Sequence, residues 1–140
     1  SGTSHTCAID THNAITCWGS NSYGQTDAPA GTYTTISSGT SHTCAIDTHN
    51  AITCWGSNSY GQTDAPAGTY TTINIGGIHS CAIDTNNNAI CWGDNSYGQT
   101  DAPAGTYTTI SSGTEHTCAI DTSGDIDCWG DNTYGQTDAP

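Results

Sequence analysis

Residues Cys7 to Gly19 read CAIDTHNAITCWG, and the same thirteen-residue frame returns with its first cysteine at Cys44, Cys81 and Cys118. Each copy holds two cysteines with nine residues between them and a Trp-Gly pair directly after the second, as in Cys17-Trp18-Gly19 and Cys54-Trp55-Gly56. The interval is 37 residues every time. Periods between about 20 and 50 residues mark solenoids, propellers or arrays, in which one supersecondary unit covers its apolar faces only against its neighbours. Whatever this chain does, it does on a repeated scaffold.

The period divides the 140 residues into units 1–37, 38–74, 75–111 and 112–140 of one repeat array, the last unit lacking a copy of the AGTYTTIS segment found at Ala30 to Ser37. Residues 1–36 are identical to 38–73, which points to recent duplication or a constructed array; units three and four diverge at Ile73 to Ser80 and at Thr122 to Asp127.

Within a unit, HTCAI carries the alternation and β-branching of a short strand, and Asp10-Thr11-His12-Asn13 is a turn. The last turn position is Asn13, Asn50, Asn87 or Gly124, residue types that tolerate positive φ, as a three-residue hairpin loop with a bulge requires. A loop over Thr11 to Asn13 sets Cys7 opposite Cys17 and Ile9 opposite Ile15, both pairs on one face. Opposed Cβ atoms lie about 4.5–5.5 Å apart, which local twist closes to the roughly 3.8 Å of a disulfide. Cys7–Cys17, Cys44–Cys54, Cys81–Cys91 and Cys118–Cys128 are therefore the economical bridges, and bridges between neighbouring units remain open. The segment SNSYGQTDAPAGT is a connector with Tyr23 as its expected anchor, and Tyr33 to Ile36 is a third strand. No apolar residues recur at helical spacing. The chain is expected to be all-β, with three strands per unit.

Gly39-x-x-His42-Thr43-Cys44-Ala45-Ile46 followed by Cys54-Trp55-Gly56-x-Asn58-x-x-Gly61-Gln62 resembles the repeat of the regulator of chromosome condensation family, in all four units. The resemblance implies that each unit is one blade of a β-propeller, a fold commonly closed by seven blades. The short, cysteine-bearing version is similar to repeats of secreted bacterial proteins, of plant crinkly-type receptor kinase ectodomains and of a propeller-type bacterial β-lactamase inhibitor. Four such blades expose two faces that something must cover: more chain, a second copy completing a ring, or copies running head to tail as an open superhelix.

Composition narrows the function. Thirteen acidic residues stand against no Lys or Arg, a formal charge of −13 that repels nucleic acids and anionic membrane surfaces. With no Leu, Val, Met or Phe, the core must come from Ile, Cys, Ala, Trp and Tyr. No apolar run reaches the roughly 18 residues of a membrane span, and no charged-then-apolar leader opens the sequence, which reads as mature or excised protein. Paired cysteines place it outside the reducing cytosol, extracellular or at the cell surface.

His5, His42, His79 and His116 precede the first cysteine of each unit by two residues; they are expected to pack within the blades, as are Trp18, Trp55, Trp92 and Trp129, instead of holding a metal. His12 and His49 fall in hairpin turns. Asp10, Asp47, Asp84 and Asp121 open those turns as caps. Asp27, Asp64, Asp101 and Asp138, each two residues before a proline, together with Asp94 and Asp131, invite a calcium reading, but they lack the alternating ligands of a calcium loop. Threonines beside proline suit O-linked glycans less well than they suit strands. No paired-carboxylate pocket, Gly-x-Ser-x-Gly elbow, phosphate loop or basic oxyanion partner is encoded, so neither catalysis nor a cofactor is expected. The leading expectation is an extracellular structural or adhesive protein that self-associates, as a homo-oligomer or filament. The rival is a secreted propeller that binds one protein partner, with its specificity confined to the divergent units three and four.

Overall fold

The structure, a computed structural model, describes residues 1–140 and contains eleven strands and no helix. They are β1 (His5–Ile9), β2 (Ile15–Gly19), β3 (Tyr33–Ser38), β4 (His42–Asp47), β5 (Ile52–Gly56), β6 (Tyr70–Ile75), β7 (His79–Asp84), β8 (Ala89–Gly93), β9 (Tyr107–Ser112), β10 (His116–Asp121) and β11 (Ile126–Gly130). Each hairpin has the register dictated by its loop: Cys7 faces Cys17 and Ile9 faces Ile15, and the pattern repeats at Cys44/Cys54, Cys81/Cys91 and Cys118/Cys128. Asn13, Asn50 and Asn87 take φ of 62°, 63° and 67°, and Gly124 takes 94°, the left-handed turn that reverses the chain. Asp10 Oδ1 accepts the backbone N–H groups of His12 and Ala14, and the other three turns copy this cap.

The sheets are cut from the chain one strand out of phase with the sequence units. β3 pairs with β4, not with the hairpin before it, so the sheets are β1-β2, β3-β4-β5, β6-β7-β8 and β9-β10-β11. Three-stranded blades are present as expected in β3-β4-β5, β6-β7-β8 and β9-β10-β11, while the sheet that opens the chain, β1-β2, holds two strands within residues 1–140. The reason is spatial. Thirteen connector residues, Ser20 to Thr32, carry the chain across to the neighbouring sheet before the third strand begins.

Successive sheets pack face to face like the blades of a propeller. β3, β6 and β9 follow one another on the narrow side of the fan. They are tied there by Ser37 Oγ, which accepts the Ile75 N–H at 3.1 Å, and by Asn74 Oδ1, which accepts the Ser112 N–H at 2.7 Å.

The connector is held by Gln25, not by the Tyr23 expected to anchor it. Tyr23 stands 61% exposed at the turn tip, whereas Gln25 is buried and its Oε1 accepts the Tyr23 N–H. Gln62 and Gln99 do the same for Tyr60 and Tyr97. The buried tyrosines are Tyr33, Tyr70 and Tyr107 at the start of the inner strands, each donating its hydroxyl to a proline carbonyl four residues earlier.

Candidate functional site

Strand alternation gives every sheet two unlike faces. One carries the cystine and its flanking isoleucines; the other carries the tryptophan, an alanine and a Ser or Thr hydroxyl. The packing is always cystine face against tryptophan face of the next sheet. Cys7 with Ile9 and Ile15 meets Ala45 and Trp55; Cys44 with Ile46 and Ile52 meets Ala82 and Trp92; Cys81 with Ile83 meets Ala119 and Trp129. With so few large aliphatics, cystine against indole supplies most of the apolar contact between sheets. All eight cysteines are bridged within their own hairpins, with Cα–Cα distances of 4.0–4.1 Å, and none is free.

In two of the three interfaces the polar groups form one chain of hydrogen bonds. His42 Nε2 lies 3.0 Å from Ser80 Oγ of the next sheet; Ser80 Oγ donates to the Gln62 carbonyl, which also accepts Trp92 Nε1–H at 3.0 Å. Because the serine hydrogen is committed to Gln62, the ring must donate through Nε2–H. His79, Thr117, Gln99 and Trp129 repeat the arrangement. His5 meets Thr43 at 2.7 Å and Trp55 Nε1–H donates to Gln25 O, but the Thr43 hydroxyl turns to Ser38.

With Nε2 carrying the proton, Nδ1 of His5, His42 and His79 is buried without a partner. It faces a glycine, and a Cβ on Gly39 would sit 2.8 Å from the His42 ring. Burial pushes the His42 imidazole down to about 4, with the neighbouring His79 and His5 adding to the effect. Burial, reinforced by His116 and opposed by Asp94, brings His79 to about 4 as well. His5 is lowered by burial and by the nearby N-terminus. Tyr33, Tyr70 and Tyr107 are raised by burial first and then by Asp47, Asp84 and Asp127 respectively; for Tyr107 its hydrogen bond to Asp127 precedes the charge effect.

The carboxylates weighed as cation ligands serve local bonds. Asp27 Oδ1 accepts Asn21 Nδ2–H at 2.8 Å, and Asp64, Asp101 and Asp138 repeat that bond with Asn58, Asn95 and Asn132. Asp94 accepts from the Ser96 hydroxyl and the Gln99 amide, and Asp131 from Thr133 and Gln136. His12 and His49 are exposed in their turns. No group of three or more His, Cys, Asp or Glu is gathered as a metal site.

Two faces have no neighbour within residues 1–140. At one end Trp18 is 54% exposed, against 8%, 8% and 7% for Trp55, Trp92 and Trp129. At the other, Ile120 and Ile126 are exposed beside Cys118, around an apolar hollow of about 230 Å³. Sequence reasoning gave the four tryptophans one role; nothing local distinguishes Trp18 from Trp55, because the residues around them are identical.

A family model described as the regulator of chromosome condensation (RCC1) repeat matches residues 1–25, 33–62, 70–99 and 107–136. No curated protein sequence matches the chain. Among solved structures it is similar to the ectodomain of the Physcomitrella patens receptor kinase CR4, at 29% identity and a TM-score of 0.79 over 92% of this chain and 39% of that one. It is similar also to the CRINKLY WD40 ectodomain of the Arabidopsis thaliana receptor kinase ACR4, at 21% identity and a TM-score of 0.75 over 94% and 48%. Yeast RCC1 (Prp20), solved bound to Kap60, shares the fold at 16% identity and a TM-score of 0.82 over 94% and 42%. The chain spans less than half the length of each of these proteins.

Proposed function

The chain belongs to the regulator of chromosome condensation repeat family, and from that premise we propose that it is a non-enzymatic extracellular structural or adhesive protein whose blades associate with further copies of themselves, as a homo-oligomer or a filament. The observation that carries this reading is the polarity of the stack: every interface joins a cystine face to a tryptophan face, so one end of the array presents what the other end receives. Contacts of that head-to-tail kind close a ring or extend without limit. Four cystines and no free thiol support an oxidising location, and no Lys or Arg offers a trypsin-like protease a cleavage point. The repeated aspartates are tied to their own turns, which supports a scaffold over a catalyst. Light scattering and electron microscopy of the native material test the reading. A molar mass that grows with concentration is expected, and a monodisperse species of 14.4 kDa would sink it.

The 29% identity to a receptor kinase ectodomain favours a second reading, a secreted propeller that binds one protein partner. The distinguishing surface would lie on the third and fourth units, where Ile90, Asp94 and Asp127 replace residues shared by the first two. Recovery of one stoichiometric foreign protein from the native medium would favour this reading over self-association.

A further inference from the structure

We infer that the hollow on the cystine face of the last sheet is a receptor for Trp18 of a second copy; the inference rests on the self-association reading and names the residues that perform it. The three internal interfaces supply the template. In each, a tryptophan seats beside the cystine of the preceding sheet and donates its indole N–H to the carbonyl of the preceding connector's glutamine: Trp55 to Gln25, Trp92 to Gln62, Trp129 to Gln99. In each, the preceding sheet's histidine reaches the hydroxyl on the same face: His5 to Thr43, His42 to Ser80, His79 to Thr117.

The ends of the array hold the separated halves of a fourth such set. The last sheet presents Cys118, Ile120 and Ile126 with the hollow between them, and Gln136 follows in the connector as Gln99 does one unit earlier. The His116 ring is half-buried and has no hydroxyl opposite it within the chain. The first sheet presents Trp18 at 54% exposure, Ala8 exposed where Ala45 and Ala82 are fully buried, and Thr6 where Thr43 meets His5. Since residues 1–36 repeat 38–73 without a change, the face offered by the first sheet's hairpin is chemically the one already seated on Cys7. A second copy seated by the internal rule would place Trp18 Nε1–H at the Gln136 carbonyl and the Thr6 hydroxyl at His116, as Trp129 and Thr117 stand to Gln99 and His79. The first sheet holds only β1 and β2 within residues 1–140, so it offers nothing to Thr109 and Ser111, and this contact covers less than the three internal ones and depends on concentration.

Two variants separate the halves: Trp18→Ser blocks the donor face, and Ile120→Ser with Ile126→Ser blocks the receiving face. Sedimentation of the wild-type chain is expected to show mass rising with concentration, while acrylamide quenching falls because Trp18 is the exposed indole of the four. Each variant alone is expected to stay at monomer mass with an unchanged far-ultraviolet spectrum. Mixed in equal amounts they are expected to form a one-to-one dimer that does not extend, since one intact face of each survives. Wild-type assembly that persists in both variants would overturn this contact and leave self-association standing by another surface. A wild-type chain that remains a monomer would overturn both.

Discussion

Acid is expected to weaken the stack through its buried histidines. His42 and His79 have folded-state values of about 4, against an ordinary 6.5 in the unfolded chain. A depressed imidazole value means that the unfolded state takes up protons first. Stability is therefore intact above pH 6.5, falls as pH drops from 6.5 towards 4, and levels off below the folded value. Each proton contributes about 1.4 kcal/mol per pH unit, so two histidines give a slope of roughly 2.7 kcal/mol per unit. Over the window each costs about 3 kcal/mol, on the scale of the 5–15 kcal/mol that holds a domain folded. His5 adds in the same direction. Asp84 and Asp131 are depressed below 3.8, so their contribution is lost only at lower pH and does not enter this range. Burial is the main cause, and the orphaned Nδ1, which on protonation gains a hydrogen with no acceptor, works in the same direction. Urea unfolding at half-unit steps from pH 7.5 to 4 measures the slope. His79→Gln, which keeps a donor for Thr117 but does not titrate, is expected to remove about half of it. A stability independent of pH in this window, or His42 and His79 imidazole signals that titrate at pH 6 or above by NMR, would refute the reasoning.

Four further outcomes follow from the same structure. Trp92→Ala is expected to lose about 3–5 kcal/mol through the cavity opened between sheets two and three, measured by urea unfolding, whereas Trp18→Ala leaves monomer stability nearly unchanged. Replacing Cys81 and Cys91 together by alanine removes a clip of ten-residue separation, worth about 2–3 kcal/mol by loop entropy. Under mild reductant with alkylation and mass spectrometry, Cys118–Cys128, on the uncovered face, is expected to open before Cys44–Cys54, whose Cys44 is fully buried. Gly93→Ala is expected to cost more than about 1 kcal/mol in melting experiments, because φ there is +104° and a Cβ would lie 2.9 Å from the Ile78 carbonyl oxygen.

Much of the local structure was legible along the chain. The 37-residue period, the alternation in HTCAI and the Asn or Gly at the turn's end fix a three-residue loop, and that loop alone sets the register that places each cysteine opposite its partner. These are short-range rules, carried by backbone sterics and the two-residue repeat of a strand. The aspartate caps are legible for the same reason, since donor and acceptor lie within four residues of one another.

What the residues between Trp18 and Tyr33 do was not legible. Tyr23 outranks Gln25 as a core residue on hydrophobicity, yet the glutamine is buried because its backbone carbonyl meets an indole thirty residues away and its amide folds back on its own turn. The choice of sheet for Tyr33 to Ser38 is likewise a matter of which hairpin lies at the far end of the connector. The sharpest case is a pair of identical residues in identical sequence: Trp55 is buried at 8% and Trp18 exposed at 54%. Sequence determined the blade, its clip and its two unlike faces; only the stacking of blades decided which faces are covered, because burial belongs to a neighbour's position and not to the residue that is buried.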